Sequence, residues 1–266
     1  VNTAVIGGTS SGKSLTLNAL GNFIPMNTRV ISIEDQRELE LQHPYWTPQT
    51  FTKGLSFEET VKNALREHPN RIILDPLRGS DAKPLFQAAA TGHVISFAMH
   101  ATAPEELTTR LENDPVNVPA THLSELDVVI TTTRHSKNGE AITRCSEITE
   151  FNPGWNMTVA SWEADTDTHE YCFGEVDGVV PELVDESRMI SEIAETELRD
   201  TDDIASRIET RCDVLSYMVD NDLDEAEAIT AVVEAFDSEA NDRLTTGEVA
   251  VGEWISQAIN KEPNNT

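Results

Sequence analysis

The sequence predicts an α/β fold built on a mostly parallel sheet, with added antiparallel strands and a helical C-terminal region. Two observations carry this. Short apolar runs alternate with helical patterns through the first half of the chain, as in a parallel sheet covered on both faces. Beyond Pro181 the apolar spacing turns helical throughout.

Each element has its own signal. Thr3-Ala4-Val5-Ile6 reads as a short buried strand, and Leu15 to Leu20 as an amphipathic first helix. Between them Gly7 to Ser14 spell Gly-Gly-Thr-Ser-Ser-Gly-Lys-Ser, which fits G-x4-G-K-[ST] at every required position. In that pattern Gly7, Gly8 and Gly12 let the backbone turn so that N–H groups converge on a phosphate. Thr9, Ser10 and Ser11 complete the cradle, with Leu15 just inside the helix whose N-terminus faces the anion. Lys13 adds positive charge near the β/γ phosphates, and the Ser14 hydroxyl suits Mg2+.

Val30 to Ile33 form the second strand, ending at Glu34-Asp35, and Phe57 to Arg66 a helix with Ser56 and Glu59 as capping box. Arg71 to Leu74 make a third strand ending at Asp75, and a helix runs from about Asp81 to Ala90 before Gly92. Val94 to Met99 end at His100, and Asp127 to Thr132 make a further buried strand. Ligands of such sheets collect at the C-terminal strand ends. Glu34, Asp35, Asp75 and His100 all lie there.

Lys137-Asn138-Gly139 reads as a hairpin turn between Val128–Arg134 and Ala141–Phe151, with more strands near Met157–Trp162 and His169–Phe173. Three helices follow, on Leu183, Met189, Ile190 and Ile193, on Ile204 to Met218, and on Ala228 to Phe236, with Asp202 and Asp224 as starts. The division is 1–154 for the nucleotide core, 155–180 for a β-rich extension and 181–266 for an acidic helical region.

The chain of 266 residues carries 19 basic and 47 acidic side chains, a formal charge of −28. Residues 1–150 hold 18 acidic and 13 basic of these, residues 151–266 the other 29 and 6. That field argues against sequence-independent nucleic-acid binding. Either an acidic interaction tail or a high-salt cytoplasm accounts for it; the apolar periodicity of the C-terminal half and the low lysine count favour a halophile. Cys145, Cys172 and Cys212 are far apart without a CxxC pair, so reduced thiols are expected. With no signal peptide and no apolar run of transmembrane length, an intracellular chain without membrane insertion is expected.

In order, the phosphate loop, Arg29-Val-Ile-Ser-Ile-Glu-Asp35, Leu85-Phe-Gln-Ala-Ala-Ala-Thr-Gly-His93 and Phe97-Ala-Met-His-Ala101 resemble the type II and type IV secretion ATPases, in particular their archaeal pilus and archaellum branch. The stretch Leu111 to Pro119 and pieces of the later helices are similar as well. The resemblance implies a RecA-like motor domain, a homo-hexameric ring, Mg2+-ATP near subunit boundaries and a cytoplasmic place at the inner face of the membrane, beneath a platform protein. It implies that Glu34 and Asp35 belong to an aspartate box, with Glu34 polarising the lytic water, and that His100 senses the γ-phosphate or links subunits. Arg37 and Arg78 fall where the family places arginines; ion pairing is the alternative for both. His93 reads as structural.

Two departures stand out. The family's Walker B strand ends in Gly-Glu, where this chain has Asp75-Pro76. Proline polarises no water, so Asp75 is expected to hold Mg2+ directly or through water, leaving either a slow ATPase or a nucleotide-gated subunit with negligible turnover. The family also has an N-terminal domain before its phosphate loop, which the present sequence, opening at Val1, is expected to lack. A small-molecule kinase on the same loop is a further alternative.

Overall fold

The computed structural model describes residues 1–51, 56–79, 82–137, 139–171, 187–236 and 250–259. These divide into two units: one of Val1–Ala19, Thr28–Leu41 and Tyr45–Cys172, the other of Leu20–Asn27, Gln42–Pro44 and Phe173–Thr266.

In the first unit β1 is Thr3–Gly7, β2 Val30–Glu34, β3 Trp46–Thr50, β4 Arg71–Asp75, β5 Val94–Met99, β6 Val128–Lys137, β7 Glu140–Asn152, β8 Trp155–Glu163 and β9 Thr168–Tyr171. They form one sheet in the order β3-β2-β4-β5-β1-β6-β7-β8-β9. The strands from β3 to β6 pair in parallel, and β7, β8 and β9 add antiparallel. This is the mixed α/β sheet expected from the sequence. The antiparallel strands continue the same sheet, and unit one runs past residue 154 without a break.

Helices α1 (Lys13–Gly21), α2 (Phe57–Arg66), α3 (Ala82–Ala89), α4 (Pro104–Glu112) and α5 (Ala120–Leu123) interleave with the strands. Ser56 caps α2 through the expected box, its hydroxyl accepting from the Glu59 N–H while the Glu59 carboxylate takes the Ser56 N–H. The inner strands are buried on both faces: Ile33, Leu74 and Phe97 on one, and Ser32, Ile73 and Ala98 on the other, have at most 1% exposure, as fully covered parallel strands require. Phe86 of α3 meets Phe97 edge-on at 5.7 Å.

The sequence reading missed β3, α4 and α5. β3 contains Pro48, which a sheet tolerates on an edge strand. Helix α1 is also less amphipathic than expected. Leu17 is buried, yet Leu15 is 69% and Leu20 38% exposed.

The second unit holds α6 (Arg188–Glu197), α7 (Thr201–Asp220), α8 (Ala226–Phe236) and α9 (Val251–Ile259). Val214 and Met218 pack with Val232, Trp254 and Ile255, while Ile190, Ala194 and Ile204 form a smaller cluster. The cap of α7 is Asp200, whose carboxylate accepts the Asp202 N–H, rather than Asp202 itself. Leu183, Cys172, Phe173, Asn138 and Asp81 lie outside the described residues. No described helix is long and apolar enough to cross a membrane.

Candidate functional site

β1 ends at Gly7 and α1 starts at Lys13, so the loop between them stands at the C-terminal edge of the sheet, where two-sided α/β sheets gather ligands. The turn rests on left-handed backbone at Ser10 (φ 57°) and Gly12 (φ 92°). A Cβ on Gly12 would stand 2.5 Å from Thr143 Cγ2, and one on Gly7 2.3 Å from Ser11 Oγ. At Gly8 a Cβ would meet nothing within 4 Å, so the structure places no steric demand for glycine there. The Thr132 hydroxyl donates to the Ile6 carbonyl at 2.9 Å, leaving Ser11 to donate to Thr132 Oγ1 at 2.8 Å. The loop is thereby tied to β6.

A cavity of about 560 Å³ opens over this loop. Its wall comprises Thr9 to Leu15, Asp35 to Gln36, Glu38, Asp75, Pro76, Arg78, His100 and Thr143. Lys13 is 9% exposed, and its Nζ donates to the Gly7 and Gly8 carbonyls at 3.1 and 2.6 Å. Burial pushes its pKa down, and the charge of Asp75 pulls it back up. His100, at the end of β5, donates to the Gly7 carbonyl; burial and the Lys13 charge hold its imidazole below the usual range.

Asp75 ends β4 with 8% exposure. Burial raises its pKa, against a hydrogen bond from Ser14 that lowers it, and the charges of Glu38 and Glu34 raise it further. Ser14 and Asp75 thus stand together at the cavity wall. A hydroxyl joined to a buried carboxylate beside a phosphate loop suits Mg2+, a hard ion that takes one or two protein oxygens and completes its shell with phosphate and water. Among the described residues no group of three or more His, Cys, Asp or Glu side chains is arranged for a metal.

The raised pKa of Asp75 has a signed consequence. A carboxyl whose folded pKa exceeds its unfolded one costs stability while ionised, and the cost is relieved as pH falls through the folded value. Asp75→Asn is therefore expected to melt at higher temperature than wild type near pH 7 without nucleotide, the gap closing on acidification. The same variant should lose the Mg2+ dependence of nucleotide binding. Differential scanning calorimetry across pH, with nucleotide titrations with and without Mg2+, checks both.

The family resemblance implied that Glu34 polarises the lytic water. Glu34 is instead fully buried and outside the cavity wall. Its Oε1 accepts the N–H groups of Glu38 and Leu39 at 2.9 and 2.8 Å, and its Oε2 accepts from Ser32 Oγ at 3.4 Å. Ser32 in turn accepts from Trp46 Nε1 at 3.0 Å. These bonds fasten the loop after β2, and the carboxylate they deliver to the cavity is that of Glu38. The sequence reading passed over Glu38; its signal was a second acid four residues beyond the strand end, on the loop the first acid ties down.

The remaining expected residues divide. Arg78 lines the cavity and pairs with Asp35 at 2.8 Å. Arg37 lies over the Trp46 ring, 5.5 Å from its centroid, and is not in the cavity wall. His93 bonds through Nδ1 to the Pro69 carbonyl at 2.8 Å, a structural contact.

The family model described as type II/IV secretion system protein matches residues 1–153. An uncharacterized protein of Methanocaldococcus jannaschii is 34% identical over 181 residues, which cover 63% of this chain and 67% of that one. The type IV secretion system protein PtlH of Bordetella pertussis is 42% identical over 97 residues, 34% of this chain and 29% of its own. Among solved structures, the VirB11 ATPase of the Brucella suis type IV secretion system, crystallised with sulphate, is 30% identical, with a TM-score of 0.48 over 57% of this chain and 48% of that one. The chain thus spans between 29% and 67% of the length of these proteins. With the family model covering more than half of the residues, and the loop, strand ends and sheet order set out above, the chain belongs to the type II/IV secretion system protein family.

Proposed function

We propose that the chain is the ATP-hydrolysing part of a ring motor that drives assembly of a pilus-like filament or secretion across a membrane. The observation that carries this reading is a single cavity in which Lys13, the Ser14–Asp75 pair and Glu38 converge. Family membership supports it.

In this mechanism the loop N–H groups and Lys13 hold the β/γ phosphates. Ser14 and Asp75 would hold Mg2+, which when bound neutralises charge developing on the phosphate oxygens. The Glu38 carboxylate orients the attacking water. Arg78, steadied by Asp35, stands ready for the γ-phosphate, and the His100 N–H on the Gly7 carbonyl couples the end of β5 to the loop. Loss of the γ-phosphate then alters contacts across subunit boundaries of a homo-hexamer, moving a membrane platform protein from the cytoplasmic side. The acidic surface and the archaeal relative support a halophilic archaeal setting.

A second reading has one specific observation in its favour. Pro76 stands in the cavity wall at the position where the family resemblance implies a Walker B glutamate, as expected for a nucleotide-gated subunit of negligible turnover. Phosphate release from MgATP in molar KCl, beside equilibrium titration of MgATP, separates the two. Steady release that stops on chelating Mg2+ is the expected result. Tight binding without release favours the gated subunit, and neither binding nor release sinks both.

A further inference from the structure

The β6–β7 hairpin lies against the phosphate loop on one face only. Thr132 of β6 bonds Ser11 Oγ, and Thr143 of β7 abuts Gly12 and lines the cavity. Strand residues two apart share a face, and directly opposed residues share it with Cβ atoms about 5 Å apart. Arg134 is two residues beyond Thr132 and directly opposite Thr143, within the regular register that runs from Thr132 to Lys137. It therefore rises from the face that touches the loop. Its neighbours confirm the alternation, since His135 stacks on Trp162 at 4.6 Å and Arg144 pairs with Asp167 on the other face.

Arg134 is exposed, and among the described residues its side chain has no ion pair or hydrogen bond. On the opposite face Lys137 and Arg144 both pair with the Asp167 carboxylate. In a chain with 47 acidic against 19 basic side chains, a guanidinium with no carboxylate partner among the described residues, outside the cavity wall but opposite Thr143 that lines it, is suited to an anion from outside.

The sheet order says which part of the nucleotide it meets. β1 carries the loop, with β5 and β4 on one side and β6 and β7 on the other. Asp75 and His100 belong to the first side, so an ion held by Ser14 and Asp75, and the phosphates it would neutralise, would lie toward them. The α-phosphate and nucleoside would then leave on the second side, where Leu15 and Thr143 line the cavity.

Resting on the nucleotide reading of the loop, we infer that Arg134 is a further phosphate-binding residue, holding the α-phosphate end of the nucleotide bound in its own subunit. It adds charge that ATP and ADP share, so it sets affinity for both and leaves the chemical step alone.

Isothermal titration of MgATP and MgADP tests this, on wild type, Arg134→Ala, Arg134→Lys and Lys137→Ala, with phosphate release measured in parallel. Arg134→Ala is expected to weaken both nucleotides by roughly 10- to 100-fold, the worth of a charge-assisted phosphate contact. The loss should be smaller at higher KCl, with saturated turnover kept and melting without nucleotide unmoved. Arg134→Lys should recover part of the affinity, and Lys137→Ala should bind as wild type. Unchanged affinity in Arg134→Ala beside a nucleotide-binding wild type overturns the assignment. So does a fall in turnover at unchanged affinity, which would place the guanidinium on a neighbouring subunit's γ-phosphate. A wild type that binds neither nucleotide instead overturns the reading of the loop itself.

Discussion

Lys13→Ala is expected to bind MgATP roughly 100- to 10,000-fold more weakly than wild type, with phosphate release falling below detection at ordinary ATP concentrations. The size follows from the site. The Lys13 ammonium is held in a buried position by two carbonyls of its own loop, which leaves its third N–H and its charge for a phosphate that binds there. Little stability should change. The two bonds to Gly7 and Gly8 are lost, but so is the cost of burying an ammonium, which the lowered pKa of Lys13 registers. Removing the charge also leaves Asp75 with less support, so its raised pKa should rise further and Mg2+ binding should need higher pH. Nucleotide titration and calorimetry on the same sample check these points. A variant that binds MgATP as wild type does would remove the phosphate loop from the account.

Much of this site was legible because its chemistry is local. Eight consecutive residues, Gly7 to Ser14, specify a cradle whose geometry depends on backbone turns and one helix start. The buried strands were legible for a similar reason, since Val30-Ile31-Ser32-Ile33 and Ile72-Ile73-Leu74 are short β-branched, largely apolar runs bounded by charged residues. β3 was not, because Pro44 and Pro48 punctuate it and only its edge position makes Pro48 tolerable. The division of labour between Glu34 and Glu38 was hidden for a different reason. Two acids near one strand end look equivalent in sequence. What separates them is that the last residue of a buried strand points into packing while a loop residue four positions on reaches the cavity. Arg134 and Thr143 belong to the same class, because their closeness to Gly12 depends on a cross-strand register that no local pattern records.

Glu38→Gln and Glu34→Gln should therefore give opposite phenotypes. Glu38 is exposed at the cavity wall, so its amide variant should fold as wild type does, within about 0.5 kcal/mol. It should bind MgATP normally and lose roughly 100- to 10,000-fold in turnover, the usual worth of a positioned acid–base group. Glu34 has no access to a water over the loop, and its carboxylate instead satisfies two backbone N–H groups and a hydroxyl inside the protein. Glutamine keeps one accepting oxygen but turns the other position into a donor facing Ser32, whose hydroxyl already receives Trp46 Nε1. A loss of about 1–3 kcal/mol is expected, the cost of a buried polar group left badly paired. Turnover of the folded fraction should fall only as far as the loose loop lets Glu38 wander, and lowering the temperature should recover it. Denaturant melts and phosphate release on both variants decide the matter. A stable Glu34→Gln without turnover, beside an active Glu38→Gln, would return the water-orienting role to the strand end and leave Glu38 as a surface acid.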